Sequence, residues 1–258
     1  MIKNKIIKAV LAVGSVLFWL CVWQIIAIYI DKQLILPDPI SVFKQIGEWL
    51  FTAKFWTIIS TSLGNILLGI IIGFVLGTLT AVLTTNIKAL EILLKPLISL
   101  VKITPVASFI LLLILWMKRE SIPSFVSVLI VFPIVWANIS QGITSADSKL
   151  KEVAKVFKFP FFKKVRYLYI PSVLPSALSA LRSSIGLAWK AGISAEILAL
   201  PHQTIGYEMF EAKNYLFRVE VFAWTVIIII LSVIIEKLIL FAFDKMSSKI
   251  ISRRHSDA

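Results

Sequence analysis

The chain has one cysteine and two histidines in 258 residues, and 14 acidic side chains against 27 basic ones. A single Cys21 forms no intrachain disulfide. Lying within an apolar run, it reads as a lipid- or core-facing residue. His202 falls in a polar loop and His255 in a polar tail, so neither joins an acid or nucleophile inside an apolar segment. An intramembrane enzyme would need such a pairing. No Gly-x-x-x-x-Gly-Lys-Ser/Thr loop is present, so the chain carries no ATP-binding motif of its own. Internal repeats and low-complexity tracts are also missing, and an inverted-repeat transporter finds no support in the pattern.

Apolar residues are abundant. They make up 59% of the chain and its mean hydropathy is +0.92, against roughly 45–50% apolar in soluble domains. The composition describes one polytopic, all-α membrane domain over 1–258. A helix needs roughly 20 apolar residues to cross the hydrocarbon, and six segments meet that need: about 9–30, 61–83, 97–116, 122–143, 172–200 and 219–243. Residues 9–30 are too long for a signal-peptide core and lack a small-x-small cleavage site, so they read as a retained anchor. The third segment holds Lys102 and Pro105 and should break near Thr104-Pro105. Pro133 lies in the middle of the fourth. Between the first two spans, Val42–Leu50 is amphipathic.

The net charge of +13 is read as topology and contact with membrane lipid rather than nucleic acid, because Lys and Arg collect on cytoplasmic loops. With the N-terminus inside, the inner segments hold Lys3, Lys5, Lys8, Lys88, Lys95, the Lys149–Arg166 cluster and the C-terminal basics. They outnumber the outer Lys and Arg by more than two to one. Both termini are therefore expected in the cytoplasm, in a cell (inner or cytoplasmic) membrane. In the second span Gly69, Gly73 and Gly77 recur at every fourth residue. Such a stripe suits close helix packing, either within one subunit or across a dimer face.

Residues 147–171 carry a different kind of signal. Seven Lys or Arg fall between Lys149 and Arg166. Asp147 or Ser148 can cap a helix whose apolar positions Leu150, Val153, Ala154 and Phe157 repeat at helical spacing, with Lys149, Lys151, Lys155 and Lys158 opposite. Pro160 ends it after about three turns. A short basic amphipathic helix beside a membrane either lies on headgroups or docks a protein.

The register Glu152-Val153-Ala154, Lys158, Leu168-x-Ile170-Pro171 resembles the EAA loop of ABC-importer permeases. The family pattern is Glu-Ala-Ala, three residues, Gly, nine residues, then Ile-x-Leu-Pro. Val153, Leu168 and Ile170 are departures, and Lys158 stands where the family usually has Gly. If Gly there supplies a positive φ, Lys is penalised and the helix is expected to run on to Phe159 instead. Trp23-Gln24, Leu36-Pro37-Asp38-Pro39, Leu112–Trp116, Phe132-Pro133, Leu174-Pro175, Gly186-Leu187-Ala188-Trp189, Ala195-Glu196 and Ile205-Gly206-Tyr207 also match in order. Together they are most similar to the aliphatic-sulfonate, taurine and nitrate branch.

The resemblance implies a type I importer permease of six spans, working as a homodimer with cytoplasmic ABC ATPases and an extracytoplasmic binding protein. It implies no catalytic residue, no metal and no cofactor on this chain, with ATP bound by the partner subunit. Glu152, Val153, Ala154, Phe157, Lys158 and Pro171 would form the ATPase-coupling site. Ionisable groups inside spans are costly and default to functional candidates. Arg182, Lys190 and Glu196 are therefore pathway candidates, with Trp189 added beside Lys190, and Lys190 would favour a small anionic solute. A Lys190–Glu196 pair would require a helix break near Gly192. The competing reading is a secondary transporter or channel with no ATPase partner.

Overall fold

Alternating apolar runs and polar breaks become a bundle of helices in the structure, a computed structural model that describes residues 2–30 and 35–256. The first helix, α1, spans Ile2–Ile30. Asp38 then starts α2 (Pro39–Leu50): its carboxylate accepts from the Ser41 N–H at 3.0 Å and the Ser41 hydroxyl at 2.8 Å, and Pro39 needs no partner at the first position. Trp23 Nε1 donates to the Pro37 carbonyl at 3.1 Å, so the Trp-Gln and Leu-Pro-Asp-Pro elements meet in space. The α2–α3 corner is closed by aromatic stacking, Trp49 on Trp224 at 4.7 Å and Phe55 on Trp224 at 5.8 Å.

Helix α3 runs Ala53–Asn86, longer at both ends than the expected 61–83. At 1.5 Å per residue it measures about 51 Å and overshoots a bilayer core of roughly 30 Å. The third segment breaks where expected. Helix α4 (Lys88–Ile103) and helix α5 (Val106–Trp116) meet at 104° across Thr104-Pro105. Pro105 lacks an N–H and pushes Thr104 into extended backbone. Helix α4 starts well before the expected 97, because the amphipathic stretch after Lys88 is helical too. Helix α6 (Ile122–Thr144) passes through Pro133 without a break.

Next come α7 (Ser148–Val156), α8 (Phe161–Lys164), a π turn (Val165–Tyr169) and α9 (Ile170–Ala199). The wide turn lies where the Pro171 ring would otherwise meet the carbonyl four residues before it. Helix α10 covers Ile205–Asn214 and α11 covers Arg218–Ser256. Three helical stretches, 53–86, 119–144 and 218–243, are each long and apolar enough to cross a membrane, and the bent α4–α5 pair makes a fourth if read as one span. Serines and charges keep α9 below that apolarity.

Helix α6 is central, packed between α3 and α9. The glycine stripe makes this possible within one chain. A Cβ on Gly69 would press on Ser124 and Ser127, one on Gly73 would sit 2.8 Å from Val131 Cβ, and one on Gly77 2.8 Å from the Phe132 carbonyl. Of the two uses open to that stripe, the structure employs it inside the subunit. The core follows the same three helices, from Ile58, Ile66 and Ile70 through Val131, Val135 and Ile139 to Ile185, Ala188 and Trp189.

Candidate functional site

The basic loop forms one candidate site. Asp147 Oδ1 accepts from the Lys149 N–H at 2.8 Å and caps α7. The helix is shorter than expected, ending at Val156. Its end is a left-handed closure: Lys158 has φ +49°, and the Phe159 N–H reaches the Ala154 carbonyl at 2.9 Å. The expected run-on to Phe159 does not occur. The closure gives the Ala154 carbonyl the Phe159 N–H, whereas a straight continuation would meet Pro160, which has no N–H for the Val156 carbonyl; Lys bears the left-handed strain.

On this helix Ala154 is 3% exposed and faces inward. Glu152, Val153 and Lys158 are exposed, as is Phe157 at 71%. Among the described side chains the expected apolar face is split, with Ala154 buried and Val153 and Phe157 facing outward together with Val156 and Phe162. The side chains of Leu150, Lys151 and Lys155 lie outside the described residues. Pro171 is half-buried at the second position of α9, joining the loop to the bundle.

Helix α9 brings together only part of the pathway set. Arg182 and Lys190 are exposed, along one stripe with Pro175, Ser179, Ser183, Leu187, Ser194 and Leu198. This spacing of three and four residues marks one helix face. Among the described residues no carboxylate pairs with either cation. Beside Leu187 lies a cavity of about 250 Å³ in the α4–α5 elbow, also lined by Lys102, Thr104, Phe109, Ile130 and Pro133. The Lys102 ammonium sits 6.0 Å from the Trp136 ring centre, and Trp136 Nε1 donates to Thr84 Oγ1 at 2.9 Å.

The other two candidates are buried beside this stripe. Trp189 is buried and donates from Nε1 to the Ile228 carbonyl of α11 at 3.2 Å. Glu196 is 0% exposed, and no break at Gly192 turns it toward Lys190, because α9 is continuous and Gly192 packs against Ile66.

Glu196 belongs to a corner that the sequence reading matched in pieces without joining them. Its Oε2 accepts from the Gly206 N–H at 3.0 Å and from the Ser62 hydroxyl at 3.0 Å. Ser62 Oγ in turn accepts from the Ile205 N–H at 2.9 Å. Thr204, the N-cap, accepts from the Tyr207 N–H at 3.3 Å and donates to the Pro201 carbonyl at 2.8 Å. The first three N–H groups of α10 are thus all satisfied, two of them from other helices. A carboxylate also suits the positive end of the helix dipole. Leu200 and Gln203 hold left-handed φ of +56° and +57° in the connection, a strain of about 1 kcal/mol or more each. Thr204 before Ile205-Gly206 was a legible cap signal, whereas Ser62 had no sequence signal at all.

The chain belongs to the family of binding-protein-dependent transport system inner membrane components, whose model matches residues 69–252. It is similar to the nitrate import permease protein NrtB of Synechococcus elongatus, 28% identical with 83% of this chain and 80% of that protein covered. It also resembles the taurine transport system permease protein TauC of Escherichia coli, 21% identical over 89% and 86% of the two chains. The fold is shared with a chain in the crystal structure of a bacterial ABC transporter that imports the acidic polysaccharide alginate. The TM-score there is 0.61 at 17% identity, covering 95% and 98% of the two chains.

Proposed function

We propose that this chain is the membrane-spanning subunit of an ATP-driven importer. It crosses the membrane six times with both termini in the cytoplasm, α1 and α9 completing the count, and it pairs with a second copy of itself. The loop 147–171 lies on the cytoplasmic side, where α7 docks on a separate ATPase. The observation that carries this reading is the build of α7: a capped helix whose Ala154 is buried while Glu152, Val153 and Phe157 face outward. A soluble domain can grip such a helix, and rigid-body motion of that domain would then move α6 and α9.

The solute is a small anion, of the sulfonate, taurine or nitrate kind, handed over by an extracytoplasmic binding protein. Support comes from the family, from relatives named for taurine and nitrate, and from Arg182 and Lys190 on the exposed stripe of α9. The elbow cavity with Lys102 opens the same side of the bundle. In the test, Glu152→Lys is expected to leave membrane insertion intact and to cut ATPase recruitment and uptake by about tenfold or more, since truncating or reversing an interface anchor costs roughly 2 kcal/mol or above. Normal recruitment and uptake in that variant would overturn the docking assignment.

A further inference from the structure

On the importer reading, two events must be linked across the membrane: arrival of the binding protein outside and a change in the helix that faces the solute. Helix α10 is the short helix at the outer end, and it packs on α9 and α11 with Ile205 and Ala212 buried. Its Glu208 pairs with Lys54 of α3 at 2.9 Å on an exposed surface, which is a weak tie in water. The strong tie is at its N-terminus. There the buried Glu196 carboxylate holds the Gly206 N–H directly and the Ile205 N–H through Ser62.

Contact at this point is as close as helices allow. A Cβ on Gly206 would lie 2.6 Å from the Ile197 amide nitrogen, so no side chain cushions α10 from α9. Glu196 sits one turn from the outer end of α9, and the helix continues unbroken to Ile170. Lys190 is about 9 Å below it along the axis and Arg182 about 21 Å, at 1.5 Å per residue. A displacement of α10 therefore cannot be absorbed at the corner and is passed down α9 to its cationic stripe.

We infer that Glu196 is the positioning residue through which α10 moves α9, with Ser62 as its bridge, so that docking on the outer face is felt at Arg182 and Lys190. The inference rests on the importer reading. Glu196 touches no solute in this role and acts only through α9.

The test uses the complete importer in nanodiscs, with its ATPase and binding protein, and compares ATPase rates with and without saturating binding protein. Glu196→Ala is expected to lower the stimulated-to-basal ratio about tenfold, within the usual range of coupling between sites, while the basal rate stays within about twofold. The binding-protein concentration giving half stimulation should hold, because the docking surface is untouched. Glu196→Gln keeps an oxygen for Gly206 and Ser62 and should restore most of the ratio.

Proportional loss of both rates in Glu196→Ala would mark a merely structural residue and overturn the inference, as would full stimulation or a failure of Gln to rescue. If the Ala variant does not assemble, Ser62→Ala carries the same comparison. A ratio about threefold lower at an unchanged basal rate supports the link, and an unchanged ratio overturns it. If the wild-type complex shows no stimulation at all, the importer reading itself falls, which separates the two failures.

Discussion

The two ends of this molecule solve the same problem, how to finish a helix, in opposite ways. At the α9–α10 corner the first three N–H groups of α10 are met from within the chain, by Thr204, by Ser62 and by a carboxylate with 0% exposure. At the basic loop α7 is capped by one exposed Asp147 and closed by a strained Lys158, and it turns Phe157 and Val156 toward water. The N–H groups of the corner are met as it stands, although the buried Glu196 Oε1 has no hydrogen-bond partner among the described residues. The loop holds apolar surface that is costly in water, at about 25 cal/mol per Å², and that the proposed ATPase would cover. The contrast suggests that substitutions should be felt as stability at one end and as association at the other.

The largest test of that contrast is Gly206→Ala. Its methyl meets backbone at Ile197 and the stem of Glu196, and neither can step aside. We expect a loss of about 3 kcal/mol, the upper part of the range for overpacking, read as a lower unfolding midpoint in detergent. A wild-type midpoint would mean that the corner is loose.

Next in size is Phe157→Ala. The ring is 71% exposed, so the unfolding midpoint should stay within about 1–2 °C, as for a surface change. Affinity for the ATPase should fall by about 2 kcal/mol, or roughly thirtyfold, as for an aromatic anchor. A destabilised permease with unaltered ATPase affinity would erase the distinction between the two ends.

The smallest effect is expected for Lys158→Gly. Relief of a left-handed φ is worth about 1 kcal/mol or more, of which Gly returns part through its freer unfolded state. A net gain of about 0.5 kcal/mol, seen as slower amide exchange at Phe159, is the expected outcome. Faster exchange there would show that the turn is held by something other than its backbone closure.

Much of the fold is legible without coordinates. The break at Thr104-Pro105, the start of α2 at Asp38-Pro39 and the ends of α6 follow from local chemistry: a missing N–H, a side-chain cap, an apolar run of bilayer length. The loop charges likewise order the segments before any packing is known. Spacing places the apolar residues of α7 on the helix but does not say which of them another element covers: Ala154 is buried, whereas Val153 and Phe157 are not.

The site shows the same division. Arg182 and Lys190 are set out along α9 by spacing alone, yet Trp189 and Glu196, equally unusual in a span, turn inward to Ile228 and to α10. Whether the glycine stripe serves one chain or two depends on where α6 lies. Periodicity, charge and proline act through near neighbours in the chain, so the order of the apolar segments and the family resemblance of the loop 147–171 could be read directly. The partners of Glu196 stand 134 and 10 residues away. A buried carboxylate is pathway or clamp according to which distant N–H and O–H groups the folded bundle brings to it, and that is settled only by tertiary packing.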